Sequence, residues 1–175
     1  MDQGKTVRPL ALSLTVAGAI LRLAPHPPNF APVGGMSLYA GARLRGWQAF
    51  ALPLLLMAVT DPLVGGYSIA TPFVYFAFMI NVWIGRRLLR SSESPMRIGA
   101  VCLACSAQFF AISNFGTWIG WYAHTWAGLA LCYTQAIPFF GRTLAADLLY
   151  SGVLFGLHAW LSRTLRTAER VPAIA

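Results

Sequence analysis

Residues 24–35 read Ala-Pro-His-Pro-Pro-Asn-Phe-Ala-Pro-Val-Gly-Gly, and they interrupt a chain that is otherwise mostly apolar. Pro25, Pro27 and Pro28 cannot continue a helix, and they bias the residues before them toward extended backbone. Gly34 and Gly35 then let the chain turn tightly into a second apolar run. The stretch therefore separates two helices and forms a shaped loop that carries His26 and Asn29.

Outward from this loop, composition decides the class. The chain has 175 residues, enough for one domain. It is 57% hydrophobic and only 10% charged, whereas a typical soluble domain carries about 25% charged residues. So few charges cannot cover a soluble surface, which points to an all-α integral membrane protein. The net charge of +8 is no nucleic-acid footprint, because the basic residues lie scattered between apolar runs. Three cysteines are too few for a disulfide framework. Cys102 and Cys105 sit in an apolar run, and Cys132 has the more polar neighbourhood. The first apolar run lacks a small-x-small exit and meets Arg22 directly, so it is expected to remain as a helix.

Apolar runs over about 10–23, 33–44, 46–61, 68–85, 98–113 and 143–162 predict about six transmembrane helices in a single domain. The second run falls short of the roughly 20 residues of a full span, so a short tilted helix with protein-shielded ends is expected there. Segment 114–142 holds Trp118, Trp121, Tyr122, Trp126 and Tyr133, residues that favour the lipid–water interface. It reads as a long outer loop or a half-inserted segment. With both termini cytoplasmic, Lys5, Arg8, Arg43, Arg45, Arg86, Arg87, Arg90, Arg97, Arg163, Arg166 and Arg170 all fall inside, and Arg22 and Arg142 lie near the outer side. A competing arrangement, in which 122–140 crosses and 34–44 does not, would move Arg43 and Arg45 outside.

On the six-helix arrangement the outer loops collect the unusual polar residues. His26 and Asn29 come from the first loop, Asp61 and Tyr67 from the second, and Asn114, Trp118, Trp121, His124 and Arg142 from the third, with Asp147 following in the last helix. Polar and aromatic groups converging at one end of a bundle suggest a small-molecule pocket. Asp61 and Asp147 need partners near a membrane; Asp61 with Arg142, or Asp147 with Arg22, would supply them. His-Glu-x-x-His, Gly-x-Ser-x-Gly and phosphate-loop patterns are absent, so neither an enzyme, a metal set nor a cofactor is expected. In the first helix Ala11, Thr15 and Ala19, and likewise Ser13 and Ala17, recur at i, i+4. Such stripes let another helix approach closely in lipid, either one of the chain's own or a partner subunit's.

Six short helices, a small-residue first helix and ligand-type residues on outer loops resemble the substrate-binding S components of energy-coupling factor (ECF) transporters. The stretches His26-Pro-Pro-Asn-Phe-Ala-Pro-Val-Gly-Gly35, Thr60-Asp-Pro-Leu-Val-Gly-Gly66 and Ser113-Asn-Phe-Gly-Thr-Trp118 are similar to a family of uncharacterised bacterial membrane proteins related to those components. The resemblance implies a bacterial inner-membrane protein that binds a vitamin-like solute or a metal ion near its outer face. It further implies a transmembrane coupling subunit, met by Ala11, Ser13, Thr15, Ala17 and Ala19, and separate ATPases. The competing expectation is a non-catalytic accessory subunit of a larger membrane complex.

Overall fold

The computed structural model describes residues 4–91 and 94–168. Among the described residues there are six helices and no strand: α1 Gly4–Leu21, α2 Val33–Arg43, α3 Gln48–Val64, α4 Thr71–Leu88, α5 Pro95–Trp121 and α6 Trp126–Ala168. Local chemistry sets several boundaries. Ser94 caps α5 by accepting the Arg97 N–H at 3.3 Å, and Pro95 opens the helix where no N–H is needed. At the end of α3 the Asp61 carbonyl accepts N–H groups from both Gly65 and Gly66, and Gly66 takes the left-handed conformation (φ 76°) that this reversal requires.

The short helix α2 is the centre of the molecule. Every residue from Val33 to Ala42 is buried, and the helix packs against all five others. A helix can be buried on every side only if neighbouring backbones come close, and glycines permit this here. A Cβ on Gly35 would press on the Tyr150–Ser151 backbone of α6. One on Gly41 would overlap the Val82 carbonyl of α4, and one on Gly85 of α4 would overlap the Leu38 carbonyl of α2. The α2–α4 crossing is thus glycine against backbone in both directions. At the far end of α2, the Tyr39 hydroxyl and His158 Nδ1 of α6 are hydrogen-bonded at 2.6 Å.

Helix ends sort into two groups. Arg22, just past α1, reaches Asp61 near the end of α3, and Tyr75 in α4 reaches the same carboxylate. Phe73 and Ile69, at the start of α4, lie beside Gly116 and Gly120 near the end of α5. At the opposite end Arg86 of α4 donates to the Gly46 carbonyl at 3.1 Å, in the turn between α2 and α3. By length and composition α5 and the Trp126–Leu165 part of α6 can cross a membrane. Large apolar side chains such as Leu55, Val59, Phe76, Leu103 and Ile137 face outward.

Two expectations are corrected. Segment 114–142 is helical over most of its length rather than a long loop. Helix α5 continues to Trp121, a turn of four residues follows, and α6 starts at Trp126. Hydroxyls in and beside this segment fit a helix because they bond back to carbonyls four residues earlier: Thr117 to Ser113 and Thr134 to Ala130 within it, and Ser113 to Phe109 and Thr143 to Phe139 at its edges. The small-residue stripe of α1 is also corrected in part. Ala11, Thr15 and Ala19 are buried inside the bundle, and Thr15 donates to the Ala11 carbonyl at 2.8 Å. Ser13 is exposed and Ala17 half-buried, so only these two of the five remain open to an outside helix.

Candidate functional site

The proline loop closes over the end of the bundle as a defined turn. The Phe30 N–H donates to the Pro27 carbonyl at 3.0 Å, with Pro28 and Asn29 between them. Asn29 has φ 62°, so proline followed by a left-handed asparagine gives the sequence signature of a type II turn. The His26 ring is held within the loop. Its nitrogens lie 3.0 Å from the Pro27 carbonyl and 3.2 Å from the Arg22 carbonyl.

Beneath this turn lies a cleft of about 170 Å³ between α4, α5 and α6. Asn29 comes from the loop, Val74 from α4, and Ser113, Asn114 and Thr117 from one face of α5. Thr143 of α6 completes the polar lining, and Phe109, Phe110, Phe139 and Phe140 supply the aromatic walls. Phe110 and Phe140 meet edge to face with centroids 5.4 Å apart. Asn114 donates its side-chain N–H to the Phe110 carbonyl at 2.8 Å.

The two acids singled out from the sequence, Asp61 and Asp147, have different surroundings, and neither has the partner expected for it. Asp61 pairs with Arg22 (N–O 2.5 Å) rather than Arg142, and it accepts the Tyr75 hydroxyl. The same guanidinium donates to Thr60 Oγ1 at 2.7 Å, so the ends of α1, α3 and α4 are tied at one point. Asp147 does not meet Arg22. It is buried among α2, α5 and α6, where Ser106 Oγ donates to its carboxylate at 2.7 Å and Gly34 leaves it room. Beside it Cys102 Sγ lies 3.3 Å from Ser151 Oγ.

The remaining candidates shape the surface. Trp118 donates its indole N–H to the Ala123 carbonyl at 3.0 Å and packs on His124, whose Nε2 lies 3.0 Å from the Ile119 carbonyl. Those contacts close the α5–α6 turn. Trp121 is exposed there. Tyr67 donates to the Ala58 carbonyl, and the exposed Arg142 guanidinium sits 5.7 Å from the Phe139 ring centre. Cys132 is buried in the hairpin, its Sγ 3.5 Å from the Asn114 carbonyl.

Of the expected residues the structure thus brings Asn29 and Asn114 to one cleft and distributes the others elsewhere. Ser113 and Thr117 were noted only as part of the 113–118 stretch and not as ligand contacts, and Thr143 and the four phenylalanines were not singled out from the sequence. Their signal was there: hydroxyls at i and i+4 in 113–117, and adjacent Phe pairs at 109–110 and 139–140. Among the described residues no group of three or more His, Cys, Asp or Glu converges as a metal site would require.

Comparison with curated proteins and with solved structures returns no match. A family model described as "Family of unknown function (DUF6580)" matches residues 3–171, almost the whole length, and the chain belongs to that family.

Proposed function

We propose that this protein is a membrane-embedded binding component for uptake of a small solute, with no ATPase of its own. On this reading it crosses the bacterial inner membrane six times, with both ends in the cytoplasm. The observation that carries the reading is the cleft under the proline loop, where four separate segments contribute lining at the end of the bundle away from most of the basic residues. Amide, hydroxyl and phenyl groups suit an organic solute better than a metal ion, which prefers carboxylate, imidazole or thiolate ligands. The outward-facing apolar side chains suit a lipid surround. A transmembrane coupling subunit and ATPases would supply the energy, as the resemblance to ECF S components implies. The accessory-subunit alternative draws on the same exposed apolar faces, covered by protein instead of lipid.

Native mass spectrometry of the full chain, purified in mild detergent, tests the reading. A small organic molecule should be retained by the wild type and lost from Asn114→Ala, with the melting temperature changed little. Retention of a protein subunit and no small molecule would select the accessory reading. Equal retention by Asn114→Ala would remove the cleft as the binding site.

A further inference from the structure

We propose that the cleft selects an organic ammonium ion, a small amine that is protonated when bound; this rests on the solute-binding reading above. The inference comes from where the hydrogen atoms of the lining already go. A hydroxyl has one hydrogen to donate and two lone pairs to accept with. Ser113 Oγ donates to the Phe109 carbonyl at 2.6 Å, Thr117 Oγ1 to the Ser113 carbonyl at 3.1 Å, and Thr143 Oγ1 to the Phe139 carbonyl at 3.1 Å. Each hydroxyl hydrogen is therefore committed to its own helix, and the oxygens keep lone pairs for a guest. Asn114 commits one of its two N–H groups to the Phe110 carbonyl, leaving Oδ1 as an acceptor beside one remaining N–H. Asn29 at the rim can act either way. A guest rich in N–H groups satisfies the three hydroxyl oxygens and Asn114 Oδ1, whereas a carboxylate or phosphate finds donors only at the two asparagine amides.

The aromatic walls favour the same charge. Phe109, Phe110, Phe139 and Phe140 line the cleft, and an aromatic ring attracts a cation that sits over its face. Arg142, one residue before Thr143, rests against Phe139; it is exposed and outside the lining, so solvent screens it. The volume of 170 Å³ is below the ~300 Å³ at which drug-sized pockets begin, which limits the guest to a small amine.

The probes are phenethylammonium, neutral phenylacetamide and anionic phenylacetate, similar in size and different in charge. Their binding to the detergent-purified full chain is measured by equilibrium dialysis, alongside the melting temperature. Phenethylammonium should bind about tenfold more tightly than phenylacetamide, with phenylacetate weakest. Thr143→Val and Ser113→Ala, which remove an acceptor each, should each weaken phenethylammonium about fivefold and leave the melting temperature near that of the wild type. Equal or tighter binding of phenylacetamide or phenylacetate overturns the proposal, as does unchanged phenethylammonium affinity in both variants. If no probe binds while native mass spectrometry finds a retained neutral or anionic molecule, the ammonium assignment falls and solute binding stands. If no probe binds and nothing is retained, both fall.

Discussion

Arg22 and Asp61 hold the loop end of the bundle together through one buried pair. The side chains are 15% and 8% exposed, and Thr60 and Tyr75 satisfy further valences of the same two groups. Removing one partner of such a pair leaves the other charge buried without compensation, at a cost of about 3–5 kcal/mol. Asp61→Asn and Arg22→Met should each lower stability by about that amount, and the double variant should lose clearly less than the sum of the two. Denaturation of the purified protein in detergent measures all three. The need for a partner at Asp61 was visible in the sequence, because a carboxylate beside an apolar run demands one. Which arginine answers was not, because that depends on which helix ends meet, and Arg22 lies far from Asp61 along the chain. The same gap hid the cleft: Ser113 and Thr143 read as ordinary helix residues until α5 and α6 are laid side by side.

Among the elements, α2 rewards the sequence reading most and the α5–α6 hairpin least. A short apolar run opening with paired glycines after prolines announces a helix that cannot span alone and must be shielded by others. The structure gives that reading its geometry, with Gly41 and Gly85 facing carbonyls across the α2–α4 crossing. Backbone cannot yield as a side chain tip can. Gly85→Ala and Gly41→Ala should therefore each destabilise the fold by about 1–3 kcal/mol or more, seen as a lower melting temperature. Gly152 of α6 is the control, since a Cβ added there would meet nothing within 4 Å; Gly152→Ala should be neutral or gain up to about 1 kcal/mol from helix propensity. Segment 114–142 misled because aromatic and hydroxyl residues mark interfaces as often as helices. The back-bonded hydroxyls of Thr117 and Thr134 show how a helix accommodates such residues without an outside partner.

At the scale of the whole molecule, charge and chain direction agree. Arg43, Arg45, Arg86, Arg87, Arg90, Arg97 and Arg163 lie on the α2–α3 turn, the end of α4, the start of α5 and the last turns of α6. The Arg86 bond to Gly46 and the Tyr39 bond to His158 gather three of those places at one end. The other end carries Arg22, already neutralised by Asp61, and Arg142. Cytoplasmic loops hold the excess of Lys and Arg, so the arginine-rich end should face inward. Among the described residues only α5 and α6 have the length and apolarity of ordinary spans, but the 17 residues of α3 reach about 26 Å at 1.5 Å per residue, close to a hydrocarbon core of about 30 Å. Six crossings therefore require α2, at 11 residues, to be shielded by its neighbours, as its complete burial allows. Cysteines placed at exposed positions separate the arrangements. In intact cells a membrane-impermeant maleimide should label Ala24→Cys and Ala123→Cys, while Trp47→Cys and Ser91→Cys should react only after the membrane is opened; the native cysteines are buried and give little background. Labelling of Trp47→Cys in intact cells alongside Ala24→Cys would mean that α2 does not cross and would leave the cleft on a bundle of different topology. Labelling of Trp47→Cys and Ser91→Cys alone would invert the orientation and place the cleft in the cytoplasm, where capture of an external solute could not begin.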